Sequence, residues 1–158
     1  GSAIECRILA EDADAGFVPD TGKVLFLQEP KGPGVRFDNG VMQGATISAD
    51  FDSMLAKLIV HGADRHLAIS RLRQALQDTV MLGVTLNSDY LRRVLEHPEF
   101  QAGGTDTDFL ERHKASLKPL PLTEEESRAL VAVAASVSRD PYNTAVNEPF
   151  ASMGAWRN

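Results

Sequence analysis

A single cysteine, Cys6, stands in the whole chain, so no intramolecular disulfide can form and the fold must be held by burial and hydrogen bonding. This fits a reducing compartment, and Cys6 reads as a small buried hydrophobe, not a nucleophile. No apolar run approaches the roughly 20 residues needed to cross a bilayer, and no charged n-region precedes an apolar h-region. The expectation is a soluble piece without a membrane partner, any targeting segment lying upstream. Basic charge is also scarce: 16 Lys and Arg face 22 Asp and Glu, giving a net charge of -6 with the arginines dispersed among acids. Without a basic field to attract phosphates, nucleic acid is not expected as a partner.

Complete active-site motifs are missing too. His61, His66, His97 and His113 form no helical i,i+4 pair and have no cysteine partners, which argues against zinc, and no metal site is expected. No serine lies in a G-x-S-x-G elbow, so nucleophilic hydrolysis has no support. Gly32-Pro33-Gly34 is too short for a Walker loop, follows Lys31 instead of preceding a lysine, and opens no helix. It reads as a turn. There are no internal repeats and no low-complexity tracts. The chain begins with Gly1-Ser2, a pair that often remains after tag cleavage, and the sequence reads as a piece of a larger enzyme that cannot complete a catalytic cycle alone.

What is present suffices for one core. A chain of 158 residues, 43% hydrophobic, should bury roughly 70% of its unfolded surface. Ile4, Cys6 and Ile8 alternate with Glu5, Arg7 and Leu9, the period of a strand, so Glu5 and Arg7 share one face. After an acidic loop and the Thr21-Gly22 turn, Lys23 to Gln28 predicts a second strand and Val35 to Asp38 a third. Asn39-Gly40 is the strongest hairpin signal, with Val41 beginning the return strand. Met54 to His61, bounded by Asp52 and Gly62, predicts a buried strand carrying Lys57.

The period then changes. Asp64 can cap a helix using Ala68, Ile69, Leu72, Leu76 and Val80, with Gly83 after its end. Asn87 can cap a second, with Tyr90, Leu91, Val94 and Leu95 on its buried side and Pro98 as its stop. A third, short helix is expected over Asp106 to His113. Thr123 and Glu126 form a capping box for an alanine-rich helix to Ser138, and Asp140 to Glu148 reads as loop. The fold class is therefore α+β: a small antiparallel β-sheet followed by packed helices, with a C-terminal helical arm. Residues 1–117 form the main lobe, and 118–158 a linker helix and the start of a following region.

Four ordered stretches resemble the C-terminal subdomain of biotin carboxylase, the closing lobe of an ATP-grasp ligase found in the α subunit of acetyl-, propionyl- or methylcrotonyl-CoA carboxylases. They are Ala3-Ile4-Glu5-Cys6-Arg7-Ile8 with Ala10-Glu11-Asp12, Phe17-Val18-Pro19 and Thr21-Gly22-Lys23; Gly34-Val35-Arg36 with Gly40-Val41; Phe51 to Val60; and Gly83-Val84 with Asn87, closing on His97-Pro98-Glu99-Phe100 and Gly104-Thr105. The resemblance runs to about His113. It implies carboxylation of biotin by ATP, Mg and bicarbonate by way of carboxyphosphate, in fatty acid or branched-chain amino acid metabolism. Biotin would be carried on a separate domain, and the glycine-rich ATP loop, metal-binding acids and bicarbonate site would lie upstream, outside these residues.

By the same resemblance, Arg7 occupies the position of a catalytic arginine facing the biotin ureido ring, where a permanent cation stabilises charge on the carbonyl oxygen. An ordinary strand arginine would instead pair with Glu5 or Glu11. Asp52 matches an acid near the biotin pocket that could orient Arg7 through bidentate hydrogen bonds, or it is a turn residue leading into a strand. Phe51 replaces the tyrosine common in the family. Lys57, between Ala56 and Leu58 in an apolar strand, is not the biotin-acceptor lysine of a Met-Lys-Met turn. Arg36 and the loop holding Pro33 resemble the patch through which bacterial subunits pair; Pro33 replaces an aromatic contact there, leaving homodimerisation open.

Pro149-Phe150 to Gly154 and Trp156-Arg157 resemble the approach to a domain contacting the carboxyltransferase β subunit, leaving an apolar stripe of Leu130, Val133 and Val137. The implied partners are the upstream ATP-grasp lobe and biotin carrier domain of the same chain and that β subunit. The implied location is a bacterial cytoplasm, or the mitochondrial matrix in a eukaryote. Two alternatives stand beside this reading: a subunit-interaction module without catalytic residues, and the closing lobe of another ATP-grasp ligase, against which Phe51-Asp52-Ser53-Met54 argues.

Overall fold

The computed structural model describes residues 1–137. Gly1–Pro119 form one compact unit, and a second unit begins at Leu120. In chain order the first unit holds strands β1 (Ser2–Leu9), β2 (Glu11–Asp12), β3 (Val18–Pro19), β4 (Gly22–Lys23), β5 (Phe26–Gln28), β6 (Val35–Asn39), β7 (Thr46–Ile47) and β8 (Met54–Gly62). Helix α1 (Arg65–Asp78), strand β9 (Val80–Leu82) and helices α2 (Ser88–Glu96), α3 (Pro98–Ala102) and α4 (Phe109–Arg112) complete it. Helix α5 (Glu124–Val137) belongs to the second unit. Small antiparallel sheets plus helices are the expected α+β class.

The main sheet has three antiparallel strands in the order β1-β8-β6, and its buried face is built by the alternation in β1 and β8. Ile8, Leu58 and Val60 meet Ala68, Ile69, Leu72 and Leu76 of α1 in the principal core. Leu58 is fully buried, so truncating it to alanine should cost roughly 2–5 kcal/mol. Helix α1 starts where Asp64 predicts it: the aspartate side chain accepts the Leu67 N–H at 2.8 Å. Between Ile8 and Leu9 the register slips, so that Ile8 faces Ala56 and Leu9 faces Met54, leaving Leu55 as the extra residue of a bulge. The bulge lets consecutive Leu55 and Ala56 both be buried. Ala56 joins the principal core, and Leu55 a second cluster with Ala10, Val24 and Met81.

Several expectations are corrected. Lys23 to Gln28 is not one strand, because the chain changes partner midway. β4 pairs with β7 and β5 with β9, while Val24 between them drops fully buried into the second cluster. Asn39-Gly40 makes no hairpin, since the neighbour of β6 is β8 and Val41 begins no strand. Asn39 uses its side chain instead, accepting the Val41 N–H at 2.9 Å and donating to the Val41 carbonyl at 2.7 Å. Helix α1 stops before Val80. Thr79 donates its hydroxyl to the Ala75 carbonyl at 2.7 Å, and Val80 to Leu82 become a strand against β5. Gly83 ends that strand at φ 105, against the Lys23 carbonyl, where a side chain would collide. Pro98 stops α2 by opening α3 as its first residue, and the third helix is shorter than expected, Phe109–Arg112.

In the second unit the capping box forms as read: Glu126 N–H donates to Thr123 Oγ1 at 3.2 Å, and Thr123 N–H to Glu126 Oε2 at 2.9 Å. Leu130 and Val133 are exposed. The loop expected over Asp140 to Glu148, and the Pro149 to Arg157 stretch, lie outside the described residues, as does the side chain of Val137.

Candidate functional site

The solvent face of the main sheet gathers the residues that the sequence singled out. In register across β1, β8 and β6, Arg7 lies opposite Lys57 and Lys57 opposite Asp38; in the next row Glu5 lies opposite Ile59 and Ile59 opposite Arg36. Residues opposite one another in antiparallel strands point to the same face. Five charged side chains, Arg7, Lys57, Arg36, Glu5 and Asp38, thus share one surface, three positive and two negative.

These charges are not equally committed. Arg36 clasps Asp38 with two nitrogens, each at 2.8 Å. That pairing holds the Asp38 carboxyl below its usual range, chiefly through the hydrogen bonds from Arg36, with Lys57 adding a smaller electrostatic pull. Arg7 is exposed, and its guanidinium makes no hydrogen bond or ion pair among the described residues. Neither carboxylate that could have neutralised it does so. Glu5 is its neighbour but not its partner, and Glu11 accepts the Ser53 hydroxyl instead. Asp52, exposed at the approach to β8, makes no bond to Arg7 either. The expected Asp52–Arg7 clasp does not form among the described residues of this structure.

What holds Arg7 is backbone, through a residue whose role the sequence reading misplaced. Asn87 sits at the N-terminal boundary of α2 but its side chain does not cap the helix. It turns to the end of β1, where Oδ1 accepts the Leu9 N–H at 3.0 Å and Nδ2 donates to the Arg7 carbonyl at 3.1 Å. Its own N–H donates to the Leu9 carbonyl at 3.2 Å. Asn87 is buried, and these three bonds continue the ladder of β1 on its free edge. A polar residue following Gly83-Val84 was visible in the sequence; that its partner lay about eighty residues earlier was not.

The remaining candidates fall into place around this face. Cys6 points into the core, and burial first, then the Glu5 charge, push its thiol up to about 12, so no thiolate is available near neutral pH. Lys57 is half-buried inside β8, not at a projecting turn. Pro33 is exposed in a loop fixed from beneath by Gly34, whose φ is 71 and where a Cβ would lie 2.6 Å from the His61 carbonyl oxygen and 2.7 Å from Arg71 Nη1. Away from the sheet, one grouping was not read from the sequence: His97, Glu99 and His113 offer ligand atoms all within 4.8 Å of one another.

Comparison with known proteins gives the same lobe. Residues 5–112 match the family described as the biotin carboxylase C-terminal domain. The biotin carboxylase of Haemophilus influenzae is 45% identical over 112 residues, which are 71% of this chain and 25% of that protein. The mitochondrial methylcrotonoyl-CoA carboxylase subunit alpha of Dictyostelium discoideum is 35% identical over 162 aligned positions, covering 99% of this chain and 23% of that one. Among solved structures, the biotin carboxylase domain dimer of the Hydrogenobacter thermophilus 2-oxoglutarate carboxylase, in complex with MgADP, ADP and bicarbonate, superposes with a TM-score of 0.71 at 33% identity, over 75% of this chain and 26% of that one. The chain spans about a quarter of the length of these relatives.

Proposed function

The chain belongs to the family of biotin carboxylase C-terminal domains, and from that premise we propose that it closes the biotin side of a biotin carboxylation site in a larger ligase. The observation that carries this reading is the unpaired Arg7, a permanent cation on an exposed strand whose carbonyl is held by Asn87, with Glu11 engaged by Ser53 and neither Glu5 nor Asp52 bonded to it among the described residues. A guanidinium so placed can donate hydrogen bonds to a carbonyl oxygen on which negative charge develops, as on the ureido oxygen of biotin when its ring nitrogen is deprotonated. Lys57 in the same row adds positive potential without competing for Arg7. Asp38 is neutralised by Arg36 and so subtracts little from that field.

The described residues do not fit ATP or Mg2+. Gly32-Pro33-Gly34 is a turn braced against β8 with no helix behind it. The nucleotide chemistry therefore belongs to an upstream ATP-grasp lobe, and biotin arrives on a carrier domain. By the same reading, residues 118–158 lead toward a region that meets a carboxyltransferase β subunit, which is supported by the relative that aligns with 99% of this chain being a carboxylase subunit alpha. Such a ligase would act in a bacterial cytoplasm or, in a eukaryote, in the mitochondrial matrix; the relatives include a bacterial and a mitochondrial protein. No helix among the described residues is long and apolar enough to cross a membrane.

The test is Arg7→Ala in the complete subunit. Biotin carboxylation should fall roughly 100-fold, the scale for losing one donor to a developing oxyanion, and Arg7→Lys should recover only part of it because it lacks the fork of fixed donors. An unchanged rate in Arg7→Ala would make Arg7 an ordinary surface arginine.

A further inference from the structure

His97 closes α2, Glu99 lies in the first turn of α3 and His113 follows the end of α4, so that three helix boundaries converge on one corner of the lobe. We propose that His97, Glu99 and His113 bind a first-row divalent cation of the zinc class, which clips the segment between α2 and α4 closed. This inference is independent of the biotin reading.

The donor set is two imidazoles and a carboxylate, the borderline combination that suits zinc and its neighbours and not magnesium or calcium, which favour all-oxygen shells. Its three ligand atoms already lie within 4.8 Å of one another. Ligands around tetrahedral zinc stand about 3.3 Å apart, given metal–ligand bonds near 2.0–2.2 Å, so side-chain adjustment alone can close the site. His113 Nε2 and Glu99 Oε2 are 2.6 Å apart, joined by a proton that a cation inserted between them would displace. The His97 and His113 rings face each other at 4.0 Å between centroids, tilted by 45°.

The surroundings favour a cation. Glu99 gives only Oε1 to Arg112, at 2.6 Å, leaving Oε2 to His113. Arg112 in turn is shared with Asp106, which it holds through both carboxylate oxygens at 2.7 Å. Two carboxylates and one guanidinium leave one negative charge beside the histidines. Arg112 also orients the Glu99 carboxylate, as outer partners of metal ligands commonly do. Among the described residues the His97 ring makes one hydrogen bond, a long one of 3.3 Å in which Nδ1 accepts from the Glu99 N–H, so a change of tautomer frees a nitrogen for a metal at the expense of a weak contact. Buried Phe109 backs both rings, at 5.2 Å from His97 and 4.9 Å from His113, and excludes water from one side.

The 158-residue chain titrated with ZnCl2 at neutral pH in a calorimeter should show one site, with Kd tighter than roughly 10 μM. At about a hundredfold excess over Kd, zinc should raise the unfolding midpoint by roughly 5–10 °C, reversed by EDTA. Glu99→Gln and His113→Asn should each weaken binding at least tenfold, roughly the effect of 1.4 kcal/mol lost from a ligand contact. His61→Asn and His66→Asn should not alter it. Weaker binding by the parent chain, or binding that follows His61 or His66, overturns the proposal. Should His113→Asn fail to fold, the imidazole signals of the unaltered chain decide by NMR: zinc must move those of His97 and His113, and movement confined to the other two histidines contradicts the site.

Discussion

Arg7 and Cys6 are adjacent in sequence yet face opposite environments, one a free cation in water and the other a thiol in the core. The strand period made that division legible in the sequence, since Ile4, Cys6 and Ile8 could only share the face away from Glu5 and Arg7. What could not be read was Asn87, because its hydrogen bonds depend on where the chain returns, and a helix cap is the commoner use of asparagine at that spacing. Replacing Asn87 by alanine leaves the Leu9 N–H and the Arg7 carbonyl without their partner and should cost about 1–3 kcal/mol in urea denaturation. A loss below about 0.5 kcal/mol would mean that water replaces the amide fully. Cys6 supplies a pH test. Its thiol titrates near 9.0 when free and about 12 when folded, so the unfolded chain releases this proton first and stability is lost as pH rises from 9.0 toward 12. The stability difference between the parent chain and Cys6→Ala should be constant below pH 9.0 and shrink above it, by about 1 kcal/mol per pH unit. A difference independent of pH would show that the thiol is not buried.

Among the elements, β1, β8 and α1 were legible because each carries its own periodicity and boundary signals over eight or more residues. The two-residue strands were not, because β2, β3, β4 and β7 are defined only by their pairings and hold too few residues to show a period. The missing hairpin has a local cause: Asn39-Gly40 has the right turn chemistry, but the Asn39 side chain takes both backbone groups of Val41 and no strand begins there. The Asp64 cap belongs to the legible part. Asp64→Ala should cost about 1 kcal/mol, measured by urea denaturation, and Asp64→Ser should restore most of it. If alanine were neutral there, packing of α1 on β8 and not its cap would be setting the start of the helix.

For the molecule as a whole, the proposal is that the lobe offers its sheet face to biotin and leaves the nucleotide to another lobe. Its isolated form should show no bicarbonate-dependent ATP cleavage; turnover by the purified chain would overturn that expectation. The Arg36–Asp38 clasp uses up the arginine of the loop that resembles a pairing patch, and Pro33 offers no flat aromatic surface, so sedimentation should show a monomer. A stable dimer would favour the interaction-module reading. The family resemblance was legible because its motifs are distributed in order along the lobe, whereas the engagement of each charge on the sheet face required the register. The central claim, that this lobe serves biotin and not ATP, is tested most directly by steady-state kinetics of Arg7→Ala in the complete subunit, with MgATP and free biotin varied separately. The account predicts a kcat reduced roughly 100-fold, about 2.7 kcal/mol of transition-state stabilisation, at an unchanged KM for MgATP. An unchanged kcat, or a loss expressed in the KM for MgATP, would contradict it.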